Sequence, residues 1–450
     1  MSGFMGILSY GIGTLVGFAL IGLLVFWFVQ DITQKKHTVL RNYPLIGRLR
    51  YFFEKQGEYF RQYFFAGDRD EMPFNRATRG WVYRLAKDEG GIIGFGSTFD
   101  LREPGSIIFV NAPFPVLEED RLPTPPLMIG EGFCRLPFEA RSVVNISGMS
   151  FGAISQPAVQ ALSRGAEVAG CWLDTGEGGL SPYHLEGNAD VVMQIGTANY
   201  GIRDNDGTFS PARANELGKV VKAFEIKLSQ GAKPGKGGVL PGAKVTAEIA
   251  GIRGIPVGQD SISPNRHRDI ANVDALLDRI VMIRDLTGRP AGVKTAIGGW
   301  EFINDLCNAV LRRGLETAPD FLIIDGGEGG SGATPQALAD HMSLPIAEGL
   351  LHPGFALSYQ YLSDRVTTHN KRLQRGLVVD EKYLRVANYV ANMNKEIDMI
   401  AHSCGYRHSR ELRREHVRIV ESANQSVAFN MLYPYPKVRQ EGRPSVAAPA

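Results

Sequence analysis

A chain of 450 residues and 49.3 kDa has room for about three domains, or for one large α/β barrel with additions. Lysine plus arginine number 49 against 47 aspartate plus glutamate, a formal net charge of +2, which supplies no field to hold nucleic acid. Cys134, Cys171, Cys307 and Cys404 lie far apart, with no C-x-x-C pair and no zinc-spaced histidine cluster, so neither a disulfide framework nor a local metal site is expected.

Residues 1–30 carry no charged side chain and Phe4 to Val29 is almost wholly apolar, which predicts a transmembrane helix over residues 4–30. The stretch begins without a basic region and ends in Phe26, Trp27 and Phe28 rather than a small-residue cleavage site, unlike a cleaved signal peptide. Lys35, Lys36, His37 and Arg41 follow it, so the positive-inside rule predicts a single-pass membrane protein whose remainder faces the cytoplasm. Residues 31–140 mix aromatic and basic side chains, as in Tyr51, Phe52, Phe53 and Arg61, Tyr63, Phe64, Phe65, and turn proline-rich at Pro123, Pro125 and Pro126. They read as a juxtamembrane cap and linker whose aromatics pack on the following domain or rest on lipid.

From residue 141 short apolar runs alternate with helical patterns, the rhythm of a parallel sheet, and a barrel domain is expected over residues 141–353. Six strands are predicted: Val143 to Ile146, Cys171 to Asp174, Val191 to Ile195, Ala223 to Leu228, Ala291 to Thr295 and Phe321 to Asp325. Asn272 caps a helix with Val273, Leu276, Leu277 and Ile280 inward and a stop at Gly288. A second helix spans Trp300 to Arg313, terminated by Gly314. After Pro353 the β rhythm ceases; residues 354–432 read as a helical segment built on a long helix, Glu381 to Ser403, and residues 433–450 as a flexible tail.

In a (β/α)₈ barrel the chemistry sits at the C-terminal ends of the strands, and here each strand runs into a small or polar cluster. These are Ile146 to Ser155, Asp174 to Gly179, Gln194 to Thr197, Lys227 to Gly238, Lys294, and Asp325 to Ala333. Singly, a Gly-Gly pair makes a turn and a strand lysine pairs with a carboxylate; together at successive strand ends they point to a site, because backbone free of Cβ can approach a flat ring or a phosphate. A nucleotide P-loop is excluded, since Gln230 stands at its first glycine and Gly237 follows Gly235-Lys236 where Ser or Thr is required. No H-E-x-x-H occurs, which leaves zinc-hydrolase chemistry without support.

The segments I-S-G-M-S-F-G-A-I-S, T-G-E-G-G, E-I-K-L-S-Q-G-A-K-P-G-K-G-G, I-S-P-x-x-H and D-G-G-E-G-G-S-G-A resemble the FMN-binding synthase domain of glutamate synthase over roughly residues 130–350, and again near Arg372 to Val379. The N-terminal N-Y-P-L-I-G-R-L-R-Y and R-G-W-V-Y resemble a membrane-bound branch of FMN-binding glutamate synthase-like proteins. The resemblance implies a TIM-type (β/α)₈ barrel of the FMN-binding kind. It also implies an oxidoreductase of glutamate biosynthesis and amino-acid metabolism, which condenses 2-oxoglutarate or a related 2-oxo acid with ammonia and reduces the imine with flavin hydride. Ser147, Met149 and Ser150 would line the flavin, Gln194 would bond its pyrimidine edge, and Lys294 would sit near N1 and favour the anionic reduced form. Lys227, Asp325, Gly326, Gly327, Gly329 and Gly330 complete the implied cofactor set. Lys233 and Arg253 match positions that hold the oxo acid's carboxylates, with Gln230 and Glu177 as partners; Lys294, Lys233 and Glu177 are the implied catalytic residues.

Three features depart from that family. Val239 replaces a glutamine expected to reach the substrate. The chain has neither the cysteine cluster of the family's iron–sulfur centre nor a glutaminase domain, so no iron–sulfur cluster is expected, the electron donor is unknown, and ammonia comes from solvent or a partner. Gly349 to Pro353 passes almost directly into Gly354 to Ser358, so strands seven and eight are expected to be absent and the barrel shortened, or completed by a homo-oligomer or partner subunit. Two alternatives stand beside the enzyme. One is a non-catalytic membrane scaffold or regulatory subunit with an incomplete flavin site. The other is an FMN oxidoreductase acting on 2-hydroxy acids, whose usual histidine base should follow a strand directly, whereas His267 lies inside the insertion after the fourth strand and reads more readily as a surface or packing residue.

Overall fold

The computed structural model describes residues 2–72, 74–231, 233–330, 334–346 and 367–435, with side chains described from residue 11 onward. It divides into two units, Met1–Trp81 and Val82–Ala450.

In the first unit the uncharged run is a single helix, α1 (Ser2–Thr33). Between Gly11 and Thr33 its most apolar 18-residue stretch has a mean hydropathy of 2.5 and no buried residue, so it is long and apolar enough to match a hydrocarbon core. Two further helices follow, α2 (Thr38–Asn42) and α3 (Ile46–Phe60), with a π-helical extension of α3 over Arg61–Phe65; α4 (Arg76–Lys87) begins in this unit and ends in the second.

The second unit opens with β1 (Ile107–Phe109) and a hairpin, β2 (Leu127–Ile129) and β3 (Phe138–Ala140). The hairpin sets Ile129, Phe138 and Ala140 against Val192 and Ala223, at the start of two core strands. The expected linker therefore closes the floor of the sheet above it. Helix α5 (Gln156–Ala169) carries a proline in its first turn and ends at Gly170 with φ of 65°.

The central sheet is the parallel sheet of a half-barrel. It contains β4 (Leu173–Asp174), β5 (Val191–Ile195), β6 (Ala223–Lys227), β9 (Ala291–Ala296) and β10 (Leu322–Asp325), in the order β10-β9-β6-β5-β4. Every residue of β5 and β6 is buried, as expected of parallel strands covered on both faces. Helix α6 (Pro211–Gly218) lies between β5 and β6, and the short pair β7 (Val239–Leu240) and β8 (Ser261–Ile262), with α7 (Ala247–Arg253) between its strands, follows β6. Beyond these come α8 (Val273–Thr287) and α9 (Glu301–Arg313). Asn272 caps α8 by accepting the Ala275 N–H at 2.9 Å, and Gly288 ends it, as the spacing predicts.

The first predicted strand, Val143 to Ile146, is a correction: it is reduced to one bridge, Ile146 with Leu173. Side chains take its ladder bonds instead. The Val144 N–H donates to Ser142 Oγ and Asn394 Oδ1, and Asn145 Oδ1 accepts from the Trp172 N–H. Among the described residues no parallel strand follows Asp325; Gly349 to Ser358, where the shortening is expected, lies outside them.

Past a short helix, α10 (Gln336–Ala339), the chain is next described from residue 367 and forms the long helix α11 (Val379–Ser403). Helix α11 packs on α5, and Gly165 permits the approach: a Cβ there would stand 2.6 Å from Val386 Cβ. A second correction concerns the C-terminal stretch, which is not wholly helical. Strands β11 (Val417–Ser422) and β12 (Gln425–Ala428) form an antiparallel sheet with β1, in which Ile419 is paired with Ile107 on one side and Val427 on the other. Arg414 ties the Tyr433 and Pro434 carbonyls, so the expected tail starts anchored; residues 436–450 lie outside the described residues.

Candidate functional site

Strands β4, β5, β6, β9 and β10 end at one mouth, and the parallel register places Gln194 beside Glu225 and Lys227 beside Lys294. The polar side chains form two layers.

The inner layer is Asp174, Gln194, Glu225 and Lys294, none more than 5% exposed. Gln194 Nε2 donates to Glu225 Oε1 at 2.7 Å and to Asp174 Oδ2 at 3.3 Å. Burial, and next the Asp174 carboxylate, push the Glu225 carboxyl well above the usual range; burial also raises Asp174, against the pull of Lys294. Glu225 is therefore the carboxyl of the pair that keeps a proton the longer as pH rises, and with it protonated the two carry one negative charge between them. Burial opposes charge on Lys294, but Glu225, Asp325, Asp174 and Glu177 outweigh it and hold the ammonium above its ordinary value. Lys294 Nζ donates to Ser147 Oγ at 3.4 Å. Glu225, which reading the sequence left unassigned, is central to this layer. Its signal was a glutamate inside the apolar run A-F-E-I-K, where an unpaired carboxylate is costly.

The outer layer lines a cleft bordered by Glu177, Thr197, Lys227, Gln230, Lys233 and Gly238. Lys227 Nζ lies 3.1 Å from both Glu177 Oε2 and Gln230 Oε1, and Lys233 Nζ lies 3.9 Å from Glu177 Oε1. Burial would raise Glu177, yet Lys227 and Lys233 together bring it below the usual carboxylate range; burial lowers Lys233. With one carboxylate facing two ammonium groups, the cleft carries a net positive charge suited to an anion. Arg253 is buried beneath it, donating to Ser261 Oγ at 3.2 Å and lying 5.0 Å from the Tyr200 ring centroid. It adds positive field here without lining the cleft. His267 is buried, its Nε2 against the Lys227 carbonyl at 3.0 Å, and so clamps the insertion onto the end of β6.

The glycine clusters divide into two kinds. A Cβ on Gly231 would fall 1.6 Å from the Gly326 carbonyl oxygen, and the Gly231 N–H donates to Asp325 Oδ2 at 3.0 Å. Gly329 sits against the Asp325 carboxyl, and the Gly327 N–H donates to the Leu344 carbonyl. These residues seat the loop after β10 on the loop after β6. Gly148 and Gly176 likewise let the first loop, with Ser150, close on the second. Met149 packs between two apolar clusters, one around Phe151 and one around Ile146. Gly235, Gly298 and Gly330 are the other kind, with nothing within 4 Å of an added Cβ, and the Gly330 carbonyl accepts from Gln230 Nε2 at 2.6 Å.

Among the described residues the buried Lys294 ammonium has one side-chain hydrogen bond, a long one, which fits a flat ring that gains negative charge on reduction. Gln194 fits the same ring in one sense only: with Nε2 committed inward, its oxygen is the atom left to offer. Ala333 and residues 347–366, where phosphate contacts would be sought, lie outside the described residues.

Comparison with known proteins matches residues 117–367, more than half of the chain, to the conserved region in glutamate synthase. The glutamate synthase large subunit-like protein YerD of Bacillus subtilis is 33% identical, covering 90% of this chain and 94% of its own length. That alignment runs over 500 positions, whereas 90% of 450 residues is about 405, which leaves about 95 positions of YerD without a counterpart. An archaeal-type glutamate synthase [NADPH] of Thermotoga sp. is 37% identical over 205 residues, covering 45% of this chain but only 37% of the relative. A crystal structure of a mandelate oxidase variant aligns with 56% of this chain and 71% of its own at 15% identity, with a TM-score of 0.31.

Proposed function

Because the chain belongs to the glutamate synthase family, we propose that it is a membrane-anchored, FMN-dependent oxidoreductase that reductively aminates 2-oxoglutarate or a related 2-oxo acid. The observation that carries this reading is the pairing of a buried Lys294 in the inner layer with a positively charged cleft directly outside it. Bound FMN would supply the hydride that reduces the imine formed from the oxo acid and ammonia. Ser147, Ser150, Gln194, Lys294 and the open backbone of Gly330 would hold the ring, and Met149 would support the loop that carries them. Lys233 and Lys227 would bind the substrate's carboxylates, with Arg253 adding field from below and Gln230 holding Lys227 in place. Glu177, between the two lysines, would orient ammonia and hold the proton exchanged at nitrogen.

In this reading the sheet is a (β/α)₈ barrel of the FMN-binding kind that lacks strands seven and eight, and α1 crosses the bilayer once with the remainder in the cytoplasm. The domain limits are those of the sequence: anchor 4–30, cap 31–140, barrel 141–353, C-terminal segment 354–432 and tail 433–450. An unidentified redox protein would supply electrons, and a second copy or a partner subunit could complete the barrel. A non-catalytic scaffold is the second reading, favoured by one observation: among the described residues the parallel sheet stops at five strands.

The test is the visible spectrum of the detergent-solubilised full chain after incubation with FMN and desalting, followed by glutamate formation from 2-oxoglutarate and ammonium with chemically reduced FMN. Retained flavin with turnover that Lys294→Met and Lys233→Ala abolish is the expected result. A folded, colourless protein would overturn the enzyme reading in favour of the scaffold.

A further inference from the structure

We propose that the apolar face of α3 and its π-helical extension, Ile46 to Phe65, lies on the surface of an anionic phospholipid bilayer. The proposal rests on the reading of α1 as a bilayer-spanning helix.

At about 100° per residue, Ile46, Leu49, Phe52, Phe53, Tyr59 and Phe60 fall within one arc of roughly 140°. Arg50, Glu54, Lys55 and Glu58 occupy the opposite arc. All six apolar side chains are exposed, from 46% at Phe60 to 72% at Ile46, and the extension adds Tyr63, Phe64 and Phe65 at 62–78%. A helix whose apolar stripe is exposed along its whole length has not been given a protein core to fill. Its stripe is mainly phenylalanine and tyrosine, the residue types that sit at the boundary between headgroups and acyl chains.

The geometry at its start fixes what would cover it. Asp31, in the last turn of α1, is buried and accepts from Arg48 Nε at 2.9 Å and Nη2 at 2.6 Å and from the Leu45 N–H at 2.9 Å. Arg48 also lies 5.2 Å from the Trp27 ring centroid. Leu45 is held at φ 65°, a strained conformation for a leucine, and Gly47 allows Leu40 to pack at 3.2 Å from where a Cβ would be. These contacts form an elbow that fastens the beginning of α3 to the end of the apolar α1. If α1 crosses the bilayer, α3 starts at the depth where α1 leaves it. Lys35, Lys36, Arg41 and Arg50 lie in the same short stretch, complementary to anionic headgroups.

The experiment places the full-length protein, with Cys307→Ser as background, in nanodiscs of phosphatidylcholine and phosphatidylglycerol. An environment-sensitive fluorophore is attached at Phe53→Cys, Phe60→Cys, Leu49→Cys, Glu54→Cys or Val25→Cys, and quenching by shallow and deep spin-labelled lipids is compared with quenching by aqueous iodide. The expected result is strong shallow-lipid quenching at positions 49, 53 and 60, iodide quenching at 54, and deep-lipid quenching at 25. Asp31→Asn should lower lipid quenching at position 60 several-fold and leave position 25 unchanged. Iodide access at 53 and 60 with position 25 still in lipid would overturn the surface helix alone, as would protection from both quenchers, the sign of a covering protein or second copy. Water access at position 25 would remove the spanning premise, and lipid contact at 53 and 60 would then still support the surface helix.

Discussion

Replacing Lys294 by methionine, which keeps the length of the side chain and deletes its charge, isolates the electrostatic content of the inner layer. Lys294, Asp174 and Glu225 are all buried, and with Glu225 protonated the trio carries one positive and one negative charge. Lys294→Met leaves the negative charge without its cation, and breaking a buried pair in this way costs about 3–5 kcal/mol. In a protein of this size, where each kcal/mol moves the midpoint by about 1 °C, the unfolding midpoint should fall by roughly 3 to 5 °C. The sign of the pH dependence follows from Asp174. Its native carboxyl already lies above the ordinary aspartate value, and without Lys294 it rises further. Above that value the native variant holds a proton that the unfolded chain releases, so its stability relative to the parent protein declines as pH rises. Thermal unfolding of the detergent-solubilised full chain at about pH 5 and pH 8 should show the smaller deficit at pH 5. Lys294→Met with Asp174→Asn, which removes both charges and keeps the acceptor for the Gly176 N–H, should recover most of the loss. Equal deficits at the two pH values, or no recovery in the double variant, would refute the charge balance.

Three further outcomes follow from the same geometry. Glu225→Gln should be nearly silent in stability, because a Glu225 that keeps its proton is already neutral; the double variant with Asp174→Asn should instead depress Lys294 below the ordinary lysine value, so that stability rises with pH up to that value in unfolding curves. Glu177→Gln should remove stability that is present above the ordinary glutamate value and fades as pH falls, since Lys227 and Lys233 hold the folded carboxyl below it; unfolding curves at neutral and strongly acid pH check this. Gly231→Ala, whose Cβ would meet the Gly326 carbonyl oxygen at 1.6 Å, should part the two loops at a cost of about 1–3 kcal/mol or more, whereas Gly330→Ala, with open space around it, should leave stability unchanged; limited proteolysis at these loops reads the difference.

The core strands were legible because buried parallel strands are written as unbroken apolar runs: Val191 to Ile195 coincides with β5, and β6, β9 and β10 differ from expectation by a residue at one end. The run Val143 to Ile146 is as apolar, but Ser142, Asn145 and the distant Asn394 divert its backbone bonds, and a contact 250 residues away leaves no local trace. The β1–β11–β12 sheet was hidden for the same reason, its first strand lying some 300 residues before the other two. At the site, Gln194, Lys227, Lys233 and Lys294 converge as the strand-end positions imply, while Arg253 sits below the cleft rather than in it. Glu225 escaped notice because its significance depends on register: only when β5 and β6 align does Gln194 face it.

That register also separates two tasks which the sequence presents as one string of glycines and charges. Asp325, Gly326 and Gly329 are committed to joining loops, which frees the mouth from needing them as cofactor contacts and makes the junction a precondition of the cleft, since Gln230, which steadies Lys227, sits one residue before Gly231. The inner layer balances its own charge, so the net positive charge available to a substrate resides in Lys227 and Lys233 against Glu177. A variant that unbalances the inner layer should therefore alter stability and flavin retention first, and one that unbalances the outer layer should alter anion affinity first. Titrating 2-oxoglutarate into Lys294→Met and Lys233→Ala by calorimetry separates the two: binding retained in the former and lost in the latter is the expected pattern. The reverse pattern would place the oxo acid against Lys294 and collapse the two layers into one site.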